Sequence, residues 1–162
     1  MTESPRLRSA TGGFPLTEAH LFHLVDVSEG VQSGSSPDVP GDRLFTTGSG
    51  AVLARFASAV EDNEPRVDIE HWSAEPPGPG DGWQGESGEL TVEGGRLSLA
   101  SGISGIPADG LAKDFTVPPG RYRVAVWCRG RQETVAAWPD CIEAGELPRG
   151  TERWLIRLWP AS

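Results

Sequence analysis

The sequence predicts an all-β protein: a single-domain antiparallel β-sandwich of about eight short strands, joined by long loops rich in glycine and proline. Runs in which polar and apolar residues alternate recur along the chain, and this period of two is typical of half-buried strands. No convincing helical pattern longer than two turns interrupts them. The 162 residues include 21 Gly and 14 Pro, yet 37% are apolar and six are Trp, which favours frequent turns around a core over a disordered chain.

The clearest strand signal is the stretch FTVPPGRYRVAVWC, residues 115–128. Pro119 and Gly120 predict a tight turn, because Pro presets the second turn position and Gly supplies a positive φ at the third. The alternation predicts a hairpin of Ala112–Val117 with Arg121–Arg129. Its apolar face holds Tyr122, Val124, Val126 and Cys128, and its other face holds Arg121, Arg123, Ala125, Trp127 and Arg129.

The first part of the chain predicts a tail, a strand and a loop. Residues 1–15 are polar and show no periodicity, so we expect a flexible tail, with the sandwich domain spanning residues 16–162. Ala19–Val27 is apolar nearly throughout, which is typical of a strand covered on both faces. Ser28–Asp42 is rich in Gly, Pro, Ser and Asp, and we expect a long surface loop there.

Two further strands are predicted before the middle of the chain. Gly50–Ala57 enters from a Thr-Gly-Ser-Gly turn and is interpreted as a strand, with an amphipathic helix over Ser49–Val60 as the alternative. Arg66–Ser73 alternates cleanly and predicts a strand with a polar outer face. Pro76–Gly88 is dominated by Pro and Gly and predicts a second long loop.

The remaining elements are a hairpin, a loop and a final strand. Glu89–Glu93 and Arg96–Ala100 alternate on either side of Gly94-Gly95, a strong hairpin signal because both central turn positions need a positive φ. After residue 129, we expect a long acidic loop through Trp138, Cys141 and Pro148. The last strand is predicted over Glu152–Trp159.

The charge distribution bears on the partner. The formal net charge is −9, and the acids are concentrated in the first half of the chain. This acidity argues against nucleic-acid binding and makes a basic protein a plausible partner. No window approaches the ~20 apolar residues of a membrane span. No signal peptide is recognisable at the N-terminus, so we expect a cytoplasmic protein that does not bind membranes.

No catalytic, cofactor or metal site is predicted. His20 and His23 would point to opposite faces of a strand, and His71 lies on an apolar face, as core histidines often do. Cys128 falls on the apolar face of its strand, where burial would keep its thiol unreactive. Whether Cys128 and Cys141 form a disulfide is left open.

Two surface sets are candidates for binding a partner. The first is cationic and aromatic, and it forms one patch if the last two strands are neighbours. Its members are Arg121, Arg123, Trp127, Arg129, Arg153, Arg157 and Trp159. The second is an acidic face suited to a basic protein. Its members are Glu61, Asp62, Glu64, Asp68, Glu70, Glu89 and Glu93.

The order of these pieces resembles the competence-nuclease inhibitor family, the ComJ-like proteins. The resemblance is carried by VPPGRYRV at residues 117–124 and ERWLIRL at residues 152–158, together with GSGAVLARF at residues 48–56 and RVDIEHW at residues 66–72. It extends over residues 16–160, and these motifs are structural. The resemblance implies a β-sandwich that binds and silences a protein such as a nuclease.

The residues support three functional interpretations. The first is a non-catalytic protein-binding domain of inhibitor or immunity type, acting on a basic partner. The alternative is a small-ligand or carbohydrate-binding module that uses Trp72, Trp83, Trp127 or Trp159 as stacking platforms. The third is an uncharacterised enzyme.

Overall fold

The computed structural model describes residues 4–112 and 114–162. Over these residues it shows one helix and nine strands, and the strands form two β-sheets. The predicted all-β fold class is therefore confirmed. The strands are β1 (Leu7–Gly13), β2 (Leu21–Asp26), β3 (Phe45–Thr47), β4 (Val52–Ala57), β5 (Glu64–Trp72), β6 (Gln84–Val92), β7 (Leu97–Ser101), β8 (Gly120–Arg129) and β9 (Arg149–Pro160), and the helix is α1 (Arg131–Glu143).

The larger sheet has the strand order β1-β5-β9-β8-β6, and the smaller has the order β3-β4-β2-β7. β5 and β9 pair in parallel, whereas the other strand pairs of the described chain are antiparallel. The larger sheet is thus mixed, and the expectation of a purely antiparallel sandwich is wrong in this respect. A parallel pair needs a long crossover, which here is supplied by β6, β7, β8 and α1.

The core lies between the two sheets and is built from the inward residues of each strand. Trp154 on β9 is fully buried and meets the rings of Phe22 at 5.3 Å and Phe56 at 5.7 Å edge to face. The alternation predicted for Arg121–Arg129 is confirmed, because Tyr122, Val124, Val126 and Cys128 are buried. On β9, Trp154, Ile156 and Leu158 face the same core. Gly50–Ala57 contains strand β4, as preferred over the helix.

The hairpin predicted around Gly94-Gly95 is not formed, because β6 belongs to the larger sheet and β7 to the smaller one. The two glycines carry the chain between the sheets. Their N–H groups donate to the buried carboxylate of Asp26, at 2.8 Å from Gly94 and 3.0 Å from Gly95. Gly95 has a φ of 110°, and an added Cβ would lie 2.1 Å from the carbonyl oxygen of Val117, so only glycine fits.

The other predicted hairpin, of Ala112–Val117 with β8, is also wrong. The N–H of Leu97 donates to the carbonyl of Phe115 at 3.0 Å, and the N–H of Val117 donates to the carbonyl of Gly95 at 2.8 Å. Residues 115–117 therefore lie beside the start of β7, which belongs to the smaller sheet, while β8 pairs with β6 and β9. Residue 113 of the predicted hairpin lies outside the described residues.

The helix α1 replaces the acidic loop that the sequence predicted between β8 and β9. Thr134 is its only buried residue, and Pro139 lies inside it. A helix with so little buried surface carries no apolar stripe, and an internal Pro argues against helix, which is why the sequence pattern gave no helical signal.

Strand β1 lies within residues 1–15, where the sequence predicted a flexible tail. Its side chains are mostly exposed or half-buried, so it lacks the alternation that would reveal a strand. Its order comes instead from backbone pairing with β5, where Ala10 lies opposite Glu70 and Thr11 opposite Ile69.

Strand directions define two ends of the sandwich. One end, which we call the helix end, contains the last residues of β1 and β8 and the first residues of β5 and β9. It is formed by loops 14–20, 58–63 and 102–106, together with segment 130–148, which contains α1. At the opposite end, β1 and β8 begin while β5 and β9 end.

Candidate functional site

The structure places the predicted cationic and aromatic residues on the solvent side of the larger sheet, which we call the outer face. β8 and β9 are neighbours, with Arg123 opposite Trp159 and Arg129 opposite Arg153. Trp127 lies between these two pairs, opposite Leu155. The seven residues predicted as one set are therefore brought to two adjacent strands of one sheet face.

Part of this outer face is covered by the segment that joins β5 to β6. Arg157 donates from Nε to Glu70 Oε1 at 2.8 Å and from Nη1 to the carbonyl of Pro77 at 2.6 Å. Trp72 Nε1 donates to the same Glu70 oxygen at 2.9 Å. Trp159 is only 8% exposed. The bond to Pro77 fixes the segment to the sheet, and the bonds to Glu70 hold Arg157 and Trp72 in place, so only part of the patch is open to solvent.

The rings of the outer face are also largely occupied. The guanidinium of Arg157 lies 5.5 Å from the Trp72 ring, and that of Arg129 lies 5.4 Å from the Trp83 ring. The Trp127 ring lies over Gly85, where an added Cβ would come within 2.2 Å of it. A hollow of about 270 Å³ remains between Trp127 and Trp159.

The predicted acidic residues do not form one face. Asp68, Glu70 and Glu89 lie on the outer face among the arginines, and each is ion-paired there. The pairs are Arg66–Asp68 at 2.8 Å, Arg157–Glu70 at 2.8 Å and Arg121–Glu89 at 3.3 Å. These carboxylates balance the charge of the cationic patch and do not offer a separate acidic surface.

The other predicted acids lie at the two ends. Glu61 and Asp62 are exposed in loop 58–63 at the helix end. Glu64 begins β5 beside them and pairs with Arg149 at 2.9 Å. Glu93 is exposed at the opposite end, just after β6. Of these four acids, only Glu61, Asp62 and Glu64 are brought together.

The helix end gathers more acids than the sequence singled out, because segment 130–148 contributes four of its own. Six exposed carboxylates there make no ion pair with any residue of the described chain. They are Glu61, Asp62, Glu133, Asp140, Glu143 and Glu146.

The helix end also carries exposed aliphatic side chains. Ile103 is 73% exposed and Ile106 is 54% exposed, both in the connection that follows β7. On α1, Val135 is 53% exposed and Ile142 is 49% exposed. Burying an isoleucine or valine against a partner stabilises a complex, so their exposure at one end suggests a contact surface.

The loop that holds the two isoleucines is tied down by side chains. The carboxylate of Glu18 accepts hydrogen bonds from the N–H of Ser104 at 2.8 Å, from its hydroxyl at 2.8 Å and from the N–H of Ile103 at 3.1 Å. The bonds from Ser104 contribute most to lowering the pKa of Glu18 to about 2. Ser101 Oγ accepts from the N–H of Ile106 at 2.8 Å.

Hydrogen bonds and side-chain contacts join the segments of the helix end to one another. Arg131 Nη1 at the start of α1 donates to the carbonyl of Ala57 at 2.8 Å, and Ala59 lines a shallow hollow with Val135. The N–H of His20 donates to the carbonyl of Glu61 at 2.9 Å. Together with the Glu18 contacts, these bonds join α1, the two loops and the isoleucine loop into one surface. We call it the helix-end surface.

A buried carboxylate lies beneath the helix-end surface. Glu152 is fully buried and accepts from the N–H of Ala59 at 2.8 Å and from Trp154 Nε1 at 2.6 Å. Arg131 Nη1 lies 3.9 Å from it. Burial, and then the charge of Glu152, raises the pKa of the Cys128 thiol, which makes it a poor nucleophile. Cys128 and Cys141 are both free.

The histidines are placed separately. His20 Nδ1 lies 3.2 Å from the carbonyl of Ser58, and Arg55 Nε donates to His23 Nε2 at 3.2 Å. Burial, and then the charge of Arg55, lowers the pKa of His23. Over residues 4–112 and 114–162, no three His, Cys, Asp or Glu side chains converge as they would around a metal ion. No helix in that part of the chain is long and apolar enough to cross a membrane.

Sequence reasoning missed the residues that characterise the helix-end surface. Ile103 and Ile106 lie between the predicted strands Arg96–Ala100 and Ala112–Val117, where no element was predicted, and Val135 and Ile142 lie in the unrecognised helix. One signal was available: two isoleucines in a short Gly- and Ser-rich loop have no alternation to place them in the core.

Comparison with solved structures finds two proteins with this fold. A protein described as crocagin biosynthetic gene J matches with a TM-score of 0.54 and 18% identity, over 99% of this chain and 100% of that chain. ComJ from Bacillus subtilis, an inhibitor of the DNA degrading activity of NucA, matches with a TM-score of 0.53 and 11% identity, over 98% of this chain and 100% of that chain. No protein-family model and no curated protein matches the sequence. The resemblance to ComJ-like proteins is thus confirmed for the fold.

Proposed function

We propose that this protein is a non-catalytic protein-binding domain of inhibitor or immunity type, which binds a basic protein through the helix-end surface. The observation that carries the proposal is the combination, at one end of the sandwich, of exposed isoleucines with six unpaired carboxylates. A nuclease is the kind of basic partner that such a surface would suit.

The composition of the helix-end surface supports protein binding. Apolar side chains supply most of the binding free energy at an interface, while charges at the rim choose the partner and raise the association rate. Ile103 and Ile106 would act as the apolar anchors, and the acids around them would favour a partner with Lys and Arg at its rim. Because Glu18 already holds the isoleucine loop in place, little conformational entropy would be lost on binding.

The inhibitor role is supported by the shared fold with ComJ, which inhibits the DNA degrading activity of NucA. Nucleases that bind the DNA backbone expose Lys and Arg, and a surface of unpaired carboxylates is complementary to them. The part of the proposal that concerns a nuclease rests on this complementarity and on the fold.

A carbohydrate-binding role for the exposed tryptophans is less well supported. Arg157 lies over Trp72 and Arg129 lies over Trp83, so these rings already carry a cation on one face. Trp159 is nearly buried, which leaves Trp127 as the only one of the four without such cover. A sugar platform built on several rings is therefore not favoured.

The test begins with capture on immobilised full-length protein from an extract of the source cells, eluted with high salt. The eluted partner is identified, produced separately, and its Kd is measured by calorimetry. We expect a basic protein whose Kd rises with salt concentration. If it degrades DNA, we expect stoichiometric inhibition. If no protein elutes, or if the eluted proteins are acidic, the proposed function is wrong.

Variants then locate the binding surface. We expect Ile103→Ser combined with Ile106→Ser to weaken binding about tenfold or more, because the burial of two aliphatic side chains is lost. We expect Glu61→Gln combined with Asp62→Asn to reduce the salt dependence. The matched controls are Val27→Ser and Glu93→Gln, which change exposed residues remote from the helix end. Equal losses for the variants and their controls would contradict the assignment of the surface.

A further inference from the structure

The opposite end of the sandwich contains a cavity of about 460 Å³. It lies where β1 and β8 begin and β5 and β9 end, and it opens to solvent. Its walls are largely apolar, being formed by Pro118, Pro119, Pro160 and the side chain of Tyr122. A cavity of this size accommodates a small molecule or the terminal residue of a peptide.

The charge of this cavity is opposite to that of the whole chain. Arg8 and Arg121 line it and no Asp or Glu does, although the net charge of the protein is −9. Arg8 makes no ion pair with any residue of the described chain. Arg121 pairs with Glu89 only at 3.3 Å, on the exposed outer face. The cavity therefore presents at least one cation without a counter-ion.

His71 lines the same cavity and is unusual among the buried polar residues. It is 9% exposed, and within the described chain neither of its ring nitrogens has a hydrogen-bond partner. Its contact there is with the Tyr122 ring, at 5.8 Å edge to face. Burial, and then the charge of Arg8, lowers the pKa of His71, so the ring is neutral at pH 7. The unpartnered ring nitrogens of His71 are not sealed from solvent, so a ligand in the cavity can hydrogen-bond to them.

We propose that this cavity binds a small monoanionic ligand with an apolar body: a carboxylate held by Arg8 and hydrogen-bonded by His71. The apolar part of the ligand packs against the three prolines and the Tyr122 ring. A carboxylate suits this site because the planar guanidinium of Arg can donate two parallel hydrogen bonds to it. The apolar walls disfavour inorganic phosphate, which would need donors on all sides.

Two sources share this chemistry, a free apolar acid and the C-terminus of a peptide, and the experiment separates them. The proposal is independent of the protein-binding role of the helix-end surface. The full-length ¹⁵N-labelled protein is titrated with phenylacetate, indole-3-acetate, acetyl-Gly-Phe as the free acid, the carboxamide of each, and inorganic phosphate. Amide shifts of His71, Ser73, Gly120 and Tyr122 report on the cavity.

We expect saturable shifts at these amides with at least one carboxylate in the millimolar range or below. The corresponding carboxamide should bind about tenfold more weakly, because the charge-assisted bond to Arg8 is lost. Arg8→Gln should weaken carboxylate binding by a similar factor, whereas Arg153→Gln, which changes an exposed arginine on the outer face, should leave it unchanged. Tighter binding of the acetylated dipeptide acid than of the free acids would identify a peptide C-terminus as the ligand.

Three results with the carboxylates would overturn the proposal. They are the absence of saturable shifts with every carboxylate, equal binding of acid and carboxamide, and equal binding by wild type and Arg8→Gln. Binding of phosphate in preference to all the carboxylates would also contradict it. His71→Phe, which keeps a flat ring, provides a second variant: it should weaken carboxylate binding without changing the response to phosphate.

Discussion

The two ends of the sandwich differ in charge and in shape. The helix end projects isoleucines and carboxylates from loops and from α1. The opposite end contains a cavity that is lined by arginines and prolines and by no carboxylate. Both ends are closed by a buried acid, Glu152 at one and Asp26 at the other. The comparison shows that the net charge of a chain does not describe its surfaces, because a strongly acidic protein here keeps one cationic cavity.

The largest effect is expected from removing the buried acid of the helix end. Glu152→Ala leaves the N–H of Ala59 and Trp154 Nε1 without their acceptor, and it removes the carboxylate that lies 3.9 Å from Arg131 Nη1. We expect a loss of about 3 kcal/mol in the free energy of unfolding, measured by urea denaturation. Glu133→Ala, an exposed acid of the same end, should leave the urea midpoint unchanged. A loss of less than about 1 kcal/mol for Glu152→Ala would show that the helix end does not depend on this acid.

The buried acid of the opposite end should matter somewhat less. Asp26→Asn retains one acceptor for the N–H groups of Gly94, Gly95 and Ser28, and we expect a loss of about 2 kcal/mol at pH 7. Burial raises the pKa of Asp26, but hydrogen bonds from Ser28, Gly95 and Gly94 outweigh burial and leave it below the ordinary value of 3.8.

The pH dependence of this loss has a definite sign. Because the folded-state pKa is the lower one, the ionised carboxylate stabilises the fold fully above pH 3.8, and this contribution is lost as the pH falls through the folded-state pKa. Urea midpoints of wild type and Asp26→Asn should therefore converge in acid. Midpoints that stay equally far apart at all pH values would contradict this.

A smaller effect is expected at Glu18, which orders the isoleucine loop of the helix end. Glu18→Gln should speed amide hydrogen exchange at Ile103 and Ser104, because the Gln oxygen is a weaker acceptor than a carboxylate. In wild type, the Ser104 amide shift should titrate with a midpoint of about pH 2. The ordering effect is present above pH 4.5 and is lost as the pH falls through about 2. Glu146→Gln is the control, and a midpoint near pH 4.5 would show that the loop is not held by Glu18.

The smallest effect is expected at Ile103. Ile103→Ser should leave the Tm unchanged, because the side chain is 73% exposed and contributes little to the core. A clear drop in Tm, measured by calorimetry, would mean that this isoleucine is packed within the protein and is not available to a partner. The contrast between the two ends would then rest on charge alone.

Local alternation predicted the strands well where one face is buried. Val67 and Ile69 on β5 and Val124 and Val126 on β8 lie in the core as expected. Pairing was not predictable, because a Gly-Gly turn looks the same whether it closes a hairpin or joins two sheets. Here Asp26, far away in the sequence, binds both glycine N–H groups and settles the outcome.

The site was predictable only in part. Alternation placed Arg123, Trp127 and Arg157 on the outer face, but it could not show that Glu70 and Glu89 would be paired with arginines there. The cavity was not predictable, because its residues come from four separate strands and the segment before β8. Helix α1 was missed because its only buried residue is Thr134, so no apolar period marks it.

The position of β9 has a consequence for biosynthesis. It is the last strand in chain order, yet it lies in the middle of the larger sheet, between β5 and β8. During translation, β5 and β8 emerge from the ribosome without the neighbour that separates them in the finished sheet. The nascent chain exposes two unpaired strand edges until residues 149–160 are synthesised, and in that interval it is most prone to aggregation.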